Sequence, residues 1–147
     1  MVTFIDVCAL ARTLPRSKPA LVYGRVKFRI GSIVYLAFSR DQQIMGFAFP
    51  KEQRDWLIGG SPDKFLLPSS SDLRYHWVHV RLHAIDADEM RSLVLDAWRF
   101  VVPKSVAAAY ASDTAIQALY ARLDAEYANL HFPPALERSP LQEVRPI

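Results

Sequence analysis

The sequence predicts an α+β fold: an antiparallel sheet with helices against one face, in the order helix, three-strand meander, helix, strand, helix, followed by a C-terminal helical extension. Three observations carry that expectation. From Tyr75 to Ile85 the residues alternate, with Val78, Val80, Leu82 and Ala84 on one side and Tyr75, Trp77, His79, Arg81 and His83 on the other. At Asp86 the period becomes helical, and Met90, Leu93, Val94, Ala97, Trp98 and Val101 form one apolar stripe. Upstream, three short alternating or apolar runs are separated by tight turn signals, the pattern of a meander.

The elements follow in chain order. Thr3 is placed to cap a helix from about Phe4 to Leu14, with Asp6 as its capping-box acid and Pro15 as its stop. RSKPA reads as a connecting loop. Leu21 to Ile30 then alternates, Val22, Gly24, Val26, Phe28 and Ile30 against Tyr23, Arg25, Lys27 and Arg29. Gly31-Ser32 turns the chain into a second strand, Ile33 to Ser39, and Arg40-Asp41-Gln42 turns it into a third, Gln43 to Phe49. Pro50 suits the first position of a helix, where its missing N–H is not needed, and Gly59-Gly60 ends it. SPDKFLLP carries a further turn and an apolar anchor, and PSSSD, from Pro68 to Asp72, is a loop. Asp86 is a good N-cap for the helix after the long alternation. Glu89 completes a capping box there and Ile85 staples onto Met90, while Pro103 stops the helix. KSVAAAYA is a short helical piece before a second cap at Ser112 or Asp113. A last helix runs to about Tyr127, with Ile116, Leu119, Tyr120, Leu123 and Tyr127 on one side. The expected organisation is one domain over residues 1–128 and a Pro-rich extended or disordered tail over 129–147.

Composition sets limits on function. A chain of 147 residues, 51% hydrophobic and 22% charged, is the size and make-up of one globular domain. The single cysteine, Cys8, forms no internal disulfide, and no apolar run approaches the roughly 20 residues of a membrane span. Asp6 interrupts the N-terminal apolar run, so no signal peptide is read there. The expectation is a soluble cytoplasmic protein with no membrane partner. The net charge of +3 permits a nucleic-acid partner, and its distribution is more telling than its total. Arg12, Arg16, Lys18, Arg25, Lys27, Arg29 and Arg40 occur in one stretch with no acidic residue among them.

Three stretches carry a family resemblance: YGRVKFRIG at Tyr23 to Gly31, FPKEQRDWL at Phe49 to Leu57, and WVHVRLHAIDADEMRSLVLDAWRFVVPK at Trp77 to Lys104. With them the chain resembles the YjbR/MmcQ-like family of small bacterial proteins over roughly residues 3 to 110. The W-V-x-V-R-L strand followed by D-x-D-E and A-W-R is the specific part. The resemblance implies an α+β fold of CyaY-like, double-wing type and a DNA-binding label resting on fold analogy. It brings no catalytic residues to carry over.

The residues themselves point to the outer sheet face. Arg25, Lys27 and Arg29 recur every second position, so their side chains project about 6.6 Å apart, near the spacing of neighbouring phosphates along a strand. Trp77, His79 and Arg81 leave the core face of the later strand, with His83 in the same phase. If both outer faces belong to one sheet, they combine into a basic surface with aromatic rings at Tyr23, Tyr35 and Trp77, the composition single-stranded binders use to stack bases. The competing reading is an ordinary solvated face. The outer phase of the middle strands (Ile33, Tyr35, Ala37, Ile44, Ala48) is apolar or small, so a helix or a second subunit covering it is a further alternative.

Other chemistry is weakly signalled. His76 and His79 point to opposite faces, and His79 and His83 stand about 13 Å apart on a strand, too far to share an ion. No metal site and no cofactor are expected. Cys8 reads as a small core hydrophobe, and Ser69 to Ser71 lack the turn that presents a nucleophilic serine. Trp56 and Trp98 read as core residues. The leading expectation is a non-catalytic module binding DNA or single-stranded nucleic acid through Arg25, Lys27, Arg29, Trp77, His79 and Arg81. The alternatives are a protein-interaction module or homodimer, and a small-ligand binder or enzyme with a pocket near His76 and PSSSD.

Overall fold

Thr3 starts the first helix, α1 (Phe4–Ala11), through a reciprocal capping box. The Asp6 amide donates to Thr3 Oγ1 at 3.3 Å and the Thr3 amide donates to Asp6 Oδ2 at 2.9 Å. The computed structural model describes residues 1–129. After α1 come β1 (Ser17–Val22), β2 (Arg25–Ile30), β3 (Ile33–Phe38), β4 (Ile44–Ala48), α2 (Lys51–Gly60), β5 (Phe65–Leu66), β6 (Trp77–Arg81), α3 (Ala87–Val101) and α4 (Lys104–Asn129). The strands form one antiparallel sheet in the order β1-β2-β3-β4-β6-β5. The fold is therefore α+β, with the expected meander at β2, β3 and β4 extended by a strand on one side and two on the other.

Two strands were not legible as such. RSKPA, expected as a loop, opens β1. Pro19 cannot donate to a ladder, but β1 is an edge of the sheet, where proline is tolerated. The alternation through Gly24 is two strands rather than one. Tyr23 (φ 52°) and Gly24 (φ 77°) are both left-handed, as a two-residue hairpin turn requires. In SPDKFLLP, Phe65 and Leu66 pair with Val80 and His79 as β5.

The register between β2 and β3 slips at a bulge. Phe28 faces Leu36 while Arg29 faces Val34, so Tyr35 is the extra residue. This corrects the expected phase of β3: Ile33 and Tyr35 leave the outer set, and Ala37, Ile44 and Ala48 remain in it. Tyr35 is fully buried, and its phenol shares a 2.6 Å hydrogen bond with Ser17 Oγ. Burial pushes that phenol up to about 12, against the opposing pull of the Ser17 bond.

One face of the sheet (Phe28, Leu36, Met45, Phe47, Val78, Val80) packs with Val7 and Ala11 of α1 and Val94, Ala97 and Trp98 of α3 as the core. The buried Trp98 indole N–H donates to the Pro15 carbonyl at 2.9 Å. Trp56, expected in the core, is 80% exposed. The buried residue of α2 is Arg54, with Leu57 and Ile58 half-buried on the same side, three and four residues on. Trp56, two residues from Arg54, falls on the opposite side. Arg54 donates to the carbonyls of Leu73 (2.9 Å), Tyr75 (3.2 Å) and Trp77 (3.1 Å), fastening α2 to the chain entering β6.

The expected strand to Ile85 ends at Arg81, and Leu82–Ala84 is a 3-10 turn, which takes His83 off the sheet. Asp86 caps α3 by accepting from the Glu89 amide at 2.8 Å. The capping box is not formed, because the Glu89 carboxylate instead accepts from Lys64 Nζ at 2.9 and 3.0 Å. PSSSD contains a 3-10 turn at Ser70–Asp72.

The chain divides into two units at Lys104/Ser105. In the second, α4 is one continuous helix where two pieces were expected. Ser112 and Asp113 do not break an Ala-rich run that contains no proline or glycine. The Pro-rich tail beyond Asn129 lies outside the described residues. Among the described residues, no helix is long and apolar enough to cross a membrane.

Candidate nucleic-acid interface

Strand register places the sequence-predicted residues on a shared face. One row crosses all six strands: Ala20 faces Lys27, Lys27 faces Ala37, Ala37 faces Gly46, Gly46 faces His79 and His79 faces Leu66. Arg25 and Arg29 stand two residues to either side of Lys27 on β2, and Trp77 and Arg81 stand likewise about His79 on β6. With Phe28 and Ile30 buried on β2 and Val78 and Val80 buried on β6, all six project from the face opposite the core. Three strand spacings separate the two sets, about 14 Å.

The two sets differ in their surroundings. Arg25 and Arg29 are exposed and Lys27 is half-buried. Lys18 on β1 faces Arg29 and adds a fourth cation. Among the described residues none of these four makes an ion pair or a side-chain hydrogen bond; the ion pairs are Lys64–Glu89, His76–Glu52 and Arg99–Asp96. On β6 the side chains are seated. The Trp77 ring lies so close over Gly46 that a Cβ there would come within 2.7 Å of the indole. His79 is half-buried, and desolvation pulls its imidazole below the ordinary value, with partial relief from the Asp72 charge. It is therefore neutral at pH 7. Arg81 Nη1 donates to the Asp63 carbonyl at 3.0 Å, so this guanidinium is partly committed to the β5 side.

Between the two sets lies a strip of small residues, Ala37 and Gly46, flanked by Ala48 and Ile44. Of the three expected aromatic rings only Trp77 is on this face. Tyr23 sits at the hairpin tip, wholly exposed, and Tyr35 is in the core. Lys18, read from the sequence as part of the basic stretch, joins this face, and Gly46, buried under the Trp77 ring, was not singled out from the sequence. A glycine inside a strand pattern was the available signal for Gly46, since it marks a close approach.

The other candidate chemistries resolve into local structure. His76 Nδ1 accepts from the Lys51 amide at 3.0 Å, satisfying an open donor at the start of α2, and its ring meets Phe100 edge-on at 5.3 Å. Ser69 bonds Ser71 at 3.2 Å and donates to Asp72 at 3.1 Å, within its own loop. Burial raises the half-buried Cys8 thiol, partly offset by Arg12, which makes it a poor nucleophile at neutral pH. Among the described residues, no cluster of three or more His, Cys, Asp or Glu side chains is arranged to hold a metal.

The YjbR family model matches residues 12–100 of the chain. In three dimensions the chain is similar to the crystal structure of the Deinococcus radiodurans protein DR2400, which carries a DUF419 domain. The TM-score is 0.60 at 18% identity, covering 71% of this chain and 82% of that one, a likeness of fold. No curated protein matches.

Proposed function

The chain belongs to the YjbR family, and from that premise we propose that its outer sheet face binds nucleic acid, single strands in particular, without catalysis. The observation that carries this reading is the register itself. A rail of four cations on β1 and β2, unpaired among the described residues, faces, across a strip of small side chains, an indole packed over Gly46 on the same sheet. Phosphates are held by Lys18, Arg25, Lys27 and Arg29, which fix position without reading sequence. Bases lie over Ala37, where a small side chain leaves room, and the leading base stacks on the outer side of the Trp77 ring, which itself covers Gly46. The neutral His79 has a ring N–H and a ring nitrogen to offer a base edge.

The test is anisotropy of a labelled single-stranded oligonucleotide with the native chain and with Trp77→Ala. A stacking contact predicts a loss of about 1–3 kcal/mol in binding. Unchanged affinity would remove Trp77 from the site. A second reading is supported by Trp56, an indole 80% exposed on α2: a protein-interaction or self-associating module that buries this ring. Light scattering of the native chain and of Trp56→Ser checks it, since self-association through α2 predicts a dimer that the substitution dissolves.

A further inference from the structure

Two turns meet at the α1 end of the sheet. The β1–β2 hairpin reverses at Tyr23-Gly24 and the β3–β4 connection reverses at Arg40 to Gln42. Between them lies a cleft of about 110 Å³. Arg25 and Arg40 line it from opposite turns, Tyr23 and Gln42 stand at the same two turns, and Phe4 contributes an apolar wall, its ring edge-on to Phe38 at 4.8 Å. Neither arginine is ion-paired among the described residues. The one carboxylate nearby in sequence, Asp41, is turned into its own loop, where Oδ1 accepts from Ser39 Oγ at 2.7 Å and from the Gln43 amide at 3.1 Å. Two arginines thus border one small cleft, and no carboxylate is among its lining residues.

The two turns fix the residues beside the cleft. Among the described residues three non-glycine positions adopt a left-handed φ, and two of them, Tyr23 (φ 52°) and Gln42 (φ 61°), line this cleft. At Tyr23 that φ is the one the two-residue hairpin turn requires, so the turn itself fixes where the residue stands. The turn holds out a Tyr23 ring that is 100% exposed, which burial does not explain.

We propose that this cleft is a phosphomonoester site, with the phosphate between Arg25 and Arg40 and a planar group of the ligand stacked on Tyr23, and that its ligand class is the nucleoside monophosphates. Guanidinium forks match a phosphate in bidentate fashion. A water needs roughly 10–15 Å³ of such space, so the cleft admits a group of several heavy atoms, phosphate-sized, and leaves the rest of the ligand outside, beside Tyr23. Arg25 also belongs to the cation rail, but Arg40 and Tyr23 do not, so the two sites are separable.

The experiment is isothermal titration of the full chain with AMP, inorganic phosphate and adenosine, repeated with Arg40→Ala and Tyr23→Ser. The expected result is AMP binding that Arg40→Ala weakens by about tenfold or more, no binding of adenosine, and weaker binding of inorganic phosphate that Tyr23→Ser leaves unchanged. Oligonucleotide binding by the rail is expected to survive Arg40→Ala, which keeps the two readings distinct. No heat with AMP at about 1 mM, or AMP affinity indifferent to Arg40→Ala, would overturn the site. Equal affinities for AMP and inorganic phosphate would overturn the nucleoside assignment.

Discussion

β2 and β6 present the same pattern to the same face, three polar or aromatic side chains at alternate positions, yet only one strand leaves them free. Arg25, Lys27 and Arg29 have no ion-pair or hydrogen-bonding partners among the described residues, so their charges are available at little structural cost. Trp77 is seated on Gly46, His79 is half-sunk, and Arg81 is tied to the Asp63 carbonyl. The difference teaches that outward phase and availability are separate properties. The first follows from alternation along one strand, and the second from what neighbouring strands and loops put alongside. One strand is an electrostatic rail and the other a constructed platform, and substitutions should separate them.

The platform is the more breakable side. Arg54→Met removes three donors from the carbonyls of Leu73, Tyr75 and Trp77 and is expected to cost about 3 kcal/mol, read as a lower urea midpoint at unchanged slope. Gly46→Ala places a Cβ within 2.7 Å of the Trp77 ring, so the ring must lift. The expected cost is about 1–2 kcal/mol with an altered near-ultraviolet signal from Trp77. The double variant Gly46→Ala, Trp77→Ala should recover most of that cost, because the clash is then gone; additive losses would place the strain elsewhere.

A smaller effect concerns His79. Its folded-state imidazole titrates below the unfolded one, so as pH falls below about 6.5 the unfolded chain takes up a proton first and stability declines. The decline stops once the folded imidazole is protonated as well. His79→Gln should flatten this part of the stability profile, measured as urea midpoints from neutral to mildly acid pH; an unchanged profile would assign the acid sensitivity to other groups. Smallest of all is the rail. Replacing Arg25, Lys27 and Arg29 together by alanine should shift stability by less than about 0.5 kcal/mol per site, since none of them supports the fold. A loss as large as that of Arg54→Met would erase the contrast between the two strands.

The legible features were those decided within one element. Asp86 capping α3, the buried stripe through Met90, Val94, Ala97 and Trp98, and the outward phase of Arg25, Lys27 and Arg29 all follow from local period and cap chemistry. What was hidden depends on partners distant in sequence. Tyr35 turns inward because a bulge against β2 adds one residue, which no alternation within β3 reveals. Glu89 forgoes its capping box for Lys64, 25 residues away. Ser17–Val22 is a strand because it lies at an edge, where Pro19 is tolerated. Arg54 rather than Trp56 is buried on α2, because the carbonyls of Leu73, Tyr75 and Trp77 offer a guanidinium more bonds than an indole could make. The candidate face was legible as two separate rows. The register that joins them across Ala37 and Gly46 was not.

The most direct measurement is the salt dependence of single-stranded oligonucleotide binding, between about 50 and 200 mM salt, for the native chain and the Arg25, Lys27, Arg29 triple alanine variant. Phosphate contacts by the rail predict that affinity falls with salt in the native chain and that the triple variant loses about 2 from the log–log slope, roughly 0.7 per contact on a single strand. Equal slopes for the two proteins, or no binding even at the lower salt, would contradict the rail as a nucleic-acid contact.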